Sequence, residues 1–71
     1  MSDKEREAFY LRAIRTSALT SLRRPMTIEN REALQDRADA LLAELEEAVI
    51  RDGGDAEILA AIEQTRRDVR E

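Results

Sequence analysis

The sequence predicts an all-α fold, an antiparallel helical hairpin with a shorter third helix that together make a small three-helix bundle, pairing as a dimer. Three observations carry this prediction. Of the 71 residues, 42% are hydrophobic and 39% charged, with only two Gly and one Pro, a balance rich in strong helix formers and poor in turn formers. Apolar side chains recur at intervals of three and four, the repeat of a single helix face. The strong breakers fall at two places, Pro25 and Gly53-Gly54, which divide one domain of residues 1–71 into three helical segments.

The first helix is predicted over residues 3–23. Ser2 followed by Glu5 has the spacing of a capping box, in which each side chain satisfies a free backbone N–H of the other. Pro25 ends the segment, because the residue before a proline is pushed out of the helical region and the proline has no N–H to donate. Tyr10, Leu11, Ile14, Ala18 and Leu22 share one face, which is read as the buried one. Phe9 lies nearly opposite, with Ala13, Thr16 and Thr20.

The second helix is predicted over 28–51. Thr27 is a good N-cap, and Glu29 places negative charge at the positive end of the helix dipole. Thr27, Arg31, Leu34, Ala38, Leu41, Leu45, Ala48 and Asp52 alternate by four and three and form the expected seam, with Leu42 and Val49 widening it on one side. Gly53-Gly54 supplies the positive φ that closes a helix end, and Asp55 caps a third helix over 56–69. Ile58, Ile62, Thr65 and Val69 form its stripe, flanked by Leu59 and Ala61. Short connections favour antiparallel neighbours. A long rod that exchanges its third helix with a second copy is the structural alternative.

The chain is small enough that one core is barely sufficient, and chains of this size are usually reinforced by disulfides, a metal or a partner subunit. There is no Cys and no His, which leaves the partner subunit. Phe9 bears on the same question. Either the third helix covers it, making the first helix the centre of the bundle, or Phe9 anchors a homodimer or partner interface within a patch of small neighbours.

Catalysis is not expected. Without His or Cys, a Ser-His-Asp triad, a Cys-His pair and a Glu-x-x-His metal motif are all excluded. Glu44 and Glu47, and Asp36 and Asp39, are carboxylate pairs one turn apart, but they fall away from the seam and read as solvated surface. Asp52-Gly53-Gly54-Asp55 lacks the ligand ladder of a calcium loop and reads as a turn. No cofactor or metal is expected. The absence of any long apolar run and the charged, mixed-sign start argue against a membrane segment and a signal peptide, and the location is read as cytoplasmic.

Charge is unevenly distributed. Met1 to Arg31 holds seven Lys/Arg against four Asp/Glu, a balance of +3, and Glu32 to Glu71 holds five against twelve, a balance of -7. Two such surfaces can neutralise one another within the fold. Alternatively, Arg12, Arg15 and Arg23, with Arg24 and Arg31 nearby, form a partial strip for the phosphates of a nucleic acid. The acidic remainder is too mixed in sign for convincing nucleic-acid mimicry. The reading is therefore a non-catalytic module that binds another protein, and also itself, and regulates or inhibits by occupying a surface. Phe9, Arg12, Ala13 and Thr16 are its expected contact residues; a nucleic-acid-binding accessory protein is the alternative.

Overall fold

The computed structural model describes residues 2–71. It contains three helices, α1 (Asp3–Leu22), α2 (Ile28–Arg51) and α3 (Ala56–Arg70), each packed against the other two. The third helix therefore folds back on its own chain. With 24 residues, α2 spans about 36 Å at a rise of about 1.5 Å per residue, and it sets the long dimension of a 39 × 18 × 15 Å bundle.

The helix boundaries follow from the local signals. Ser2 Oγ accepts from the Glu5 backbone N–H at 3.2 Å, although the return bond of a full capping box is not made among the described residues. Thr27 Oγ1 accepts from Asn30 N–H at 3.1 Å, and Asp55 Oδ1 accepts from both Glu57 N–H and Ile58 N–H. At the end of α2, Gly53 N–H donates to the Ile50 carbonyl and Gly54 N–H to the Val49 carbonyl, the paired closure of a Schellman motif. Both glycines carry positive φ, 119° and 72°. A Cβ would meet nothing within 4 Å at either, so backbone conformation and not close packing calls for glycine here.

Two apolar clusters fill the interior. Leu11, Leu42, Leu45, Val49, Ile58 and Ile62 pack where α1 begins and α2 ends, and Leu22, Ala38 and Val69 close the other end with Leu19, Met26 and Leu34 around them. Polar side chains close the helix ends. Arg31 donates to the Leu22 carbonyl at 3.0 Å, and the buried Gln35 Nε2 donates to the Val69 carbonyl at 3.1 Å, so that two side chains one turn apart on α2 satisfy carbonyls at the C-termini of α1 and α3. The buried Thr65 hydroxyl donates to the Ala61 carbonyl within its own helix.

Two expectations are corrected. The α2 seam is rotated toward the side predicted only as a flank: Gln35, Ala38, Leu42, Leu45 and Val49 are buried, Leu34 and Ala48 are half-buried, and Leu41 is 42% exposed. The cause is α3, which packs along that flank and draws the buried line toward itself. On α1, Tyr10 does not join the core and is 53% exposed. The buried line runs through Glu7, Leu11 and Leu22, and Tyr10 stands about 100° round the helix from Leu11.

The rotated seam separates two neighbouring leucines. Leu42→Ala should cost about 2–5 kcal/mol in chemical denaturation, as for other fully buried leucines. Leu41→Ala, measured at low protein concentration, should cost less than about 1 kcal/mol.

Candidate partner-binding surface

The outer surface of α1 is built from residues that neither neighbouring helix reaches. α3 packs along the side of α1 that carries Ala8, Leu11 and Arg15, and α2 along the side of Ile14, Ala18 and Ser21. Phe9, Ala13 and Thr16 are exposed and line neither groove, and Arg12 is exposed at the edge of the groove between α1 and α3. Phe9 is 58% exposed, so the third helix folds back without covering it. The only two aromatic rings of the chain, Phe9 and Tyr10, meet edge to face with centroids 6.0 Å apart and planes at 71°. That geometry holds two large apolar side chains in a defined arrangement at the surface.

The charge asymmetry of the sequence is partly spent inside the fold. Lys4 pairs with Glu57 at 3.0 Å and with Asp55 at 3.6 Å, Arg6 reaches Asp52 at 3.9 Å, and Arg15 pairs with Asp68. Between α2 and α3, Arg66 pairs with Glu46 at 2.9 Å, and Arg70 is held by Asp36 and Asp39 together. The carboxylate pair Asp36 and Asp39 is thus an arginine clasp, whereas Glu44 and Glu47 are exposed. The Arg15 guanidinium holds the Asp68 carboxyl below the ordinary range, and the Ile58 backbone N–H does the same for Asp55, with Lys4 adding to it.

The arginine strip is interrupted. Arg15 is committed to Asp68 and Arg31 to the Leu22 carbonyl. Arg12, Arg23 and Arg24 are exposed and make no ion pair among the described residues. Arg12 and Arg23 stand three turns apart, about 16 Å along the helix. Among the described residues, no group of three or more acidic side chains converges where a metal could sit, and no helix is long and apolar enough to cross a membrane.

One residue with unusual chemistry escaped the sequence reading. Glu7 is only 5% exposed, and its Oε2 makes no hydrogen bond among the described residues. Burial is the main cause that pushes its pKa up, and the neighbouring Asp52 carboxylate adds to it. The signal was present: Glu7 lies one turn before Leu11, on the same inward line.

No family model matches the chain, and comparison with curated proteins and with solved structures returns no similar protein.

Glu7 and the two lowered aspartates act on stability in opposite directions. A carboxyl whose pKa is raised by folding penalises the fold above that pKa and ceases to do so once protonated, whereas Asp55 and Asp68 stabilise the fold above the ordinary carboxylate range and lose that contribution as pH falls through their lowered values. Glu7→Gln should therefore raise the thermal midpoint at neutral pH. The gain should shrink steadily as the pH is lowered into the acidic range where Glu7 itself becomes protonated, as read by circular dichroism melts at a series of pH values.

Proposed function

We propose that this chain is a cytoplasmic, non-catalytic protein-interaction module, a regulator or inhibitor that works by occupying a partner's surface with the outer face of α1. The observation that carries the reading is the Phe9 and Tyr10 pair, two rings more than half exposed on a helix whose inward side is already filled. Exposing such rings to water forgoes apolar burial, and aromatic side chains in a rigid setting are the commonest anchors of protein interfaces. Ala13 and Thr16 beside Phe9 are small enough to let a partner approach the helix closely. Arg12, free of any ion pair among the described residues, can offer a planar donor at the rim of the contact.

The composition supports the same reading. With no His and no Cys, the side chains best suited to nucleophilic and acid-base catalysis are missing, and Glu7, the carboxyl whose pKa is raised among the described residues, is enclosed next to Asp52.

The test is a binding comparison with the partner recovered from the native host and then purified. Phe9→Asp should reduce affinity by about thirtyfold or more, the scale of an interface anchor, while its circular dichroism spectrum and melting temperature stay close to wild type. Arg12→Ala should cost less, about two- to fivefold, as a rim contact. Full affinity in the Phe9→Asp variant, or loss of its folded structure, would contradict the proposal.

A further inference from the structure

α2 carries a second stripe beside its buried one. Leu34, Leu41 and Ala48 follow one another at seven-residue intervals, and Arg37 and Glu44 interleave with them at the same interval, the pattern of a coiled-coil face. The core uses this stripe only in part, with Leu34 packed at the edge of one cluster. Leu41 is 42% exposed, Leu34 and Ala48 are half-buried, and Arg37 and Glu44 are exposed and make no ion pair among the described residues. Leu34, Arg37 and Leu41 form one wall of a shallow groove of about 270 Å³, and Ile14, Ser17 and Ser21 of α1 form the other. α3 lies on the far side of the hairpin and leaves this groove open.

The order of residues on the stripe is its own complement when reversed. Reading toward the C-terminus it presents a leucine, a cation, a leucine, an anion and an alanine. A second copy running the opposite way, with a two-fold axis at Leu41, sets Leu41 against Leu41 and the bulky Leu34 against the small Ala48, and brings Arg37 to within one residue, about 1.5 Å along the helix, of Glu44 twice over. A parallel arrangement would place Arg37 on Arg37 and Glu44 on Glu44, so the charges favour one orientation and oppose the other. Neither charged group is engaged within its own chain among the described residues, so both are available to a second copy.

We propose that the occupant of this face is a second copy of the chain, and that the protein forms an isologous dimer in which two α2 helices cross antiparallel at Leu41. This dimer uses a different helix face from the one centred on Phe9, so it stands independently of the partner-binding reading and leaves Phe9, Ala13 and Thr16 open in each subunit.

Sedimentation velocity across concentrations from about 1 µM to about 1 mM, which spans weak and moderate self-association, tests it with the full chain. The 8.1 kDa monomer should give way to a species of twice that mass as concentration rises. Leu41→Glu should remain monomeric throughout with an unchanged circular dichroism spectrum. Arg37→Glu should weaken dimerisation by about tenfold or more by setting like charges together, and adding Glu44→Arg in the same chain should restore it, because the exchanged pair is again complementary. Phe9→Asp should dimerise like wild type. A protein that stays monomeric over the whole range would overturn the proposal, and so would a dimer that survives Leu41→Glu but is lost in Phe9→Asp. A double exchange of Arg37 and Glu44 that restores nothing, in a chain that Arg37→Glu has made monomeric, would overturn the antiparallel register.

Discussion

The buried line of α2 serves two neighbours at once, and the rest of the structure depends on how it is turned. Ala38, Leu42, Leu45 and Val49 face a space shared by α1 and α3. A helix that served α1 alone would centre its apolar stripe between Leu34, Leu41 and Leu45. Serving both shifts the centre toward Leu42 and Val49, whose side chains are fully enclosed, and moves Leu41 to the edge. The same rotation carries Gln35 into the interior, where it would be costly without a partner. It finds one in the Val69 carbonyl. Arg31, one turn earlier, does the same for the Leu22 carbonyl, so the beginning of α2 fixes the ends of both other helices with two hydrogen bonds.

Electrostatics follows from that arrangement. Because α1 and α3 run alongside one another, the basic first helix lies against acidic groups at the α2–α3 turn and along α3. Lys4, Arg6 and Arg15 find Glu57, Asp52 and Asp68 there. These pairs are largely exposed, so each contributes little to stability; their consequence is that part of the apparent basic character of the first third is neutralised internally. Of the charges that make no ion pair among the described residues, Arg12 is near Phe9 in sequence, and Arg37 and Glu44 flank Leu41, all three beside apolar side chains that the core leaves exposed.

The helix limits were legible in the sequence, although the Ser2/Glu5 capping box forms only its Glu5 N–H to Ser2 Oγ half. Thr27 and Asp55 cap where their side-chain chemistry says they should, Gly53-Gly54 closes α2, and all three helices lie within a residue of their expected limits. The stripe of α3 was also legible, since Ile58, Ile62, Thr65 and Val69 are all buried. What could not be read was the angular setting of each helix about its own axis. Two adjacent leucines, Leu41 and Leu42, fit the spacing of the α2 stripe almost equally well, and only the position of α3 decides between them. Tyr10 was misplaced for the same reason. Glu7 was overlooked because a carboxylate on an inward line conflicts with its usual preference for water, and nothing local announces that α2 and its turn will close over it. Of the candidate surface, the exposure of Phe9 was foreseen as one of two outcomes. The groove beside Leu41 was not, since it exists only once the seam has rotated.

The orientation of α2 thus determines which apolar groups are hidden and which remain available for contact. The chain contains no cysteine, so single cysteines placed along α2 report position by position without interference. Thiol-labelling rates measured at low protein concentration on variants at residues 38, 41, 42, 44, 45 and 49 would test the orientation directly. Fast labelling at Leu41→Cys and Glu44→Cys, with strong protection at Leu42→Cys, Leu45→Cys and Val49→Cys, is the expected pattern. Protection at Leu41→Cys together with fast labelling at Leu42→Cys would place the seam on the other face and contradict it.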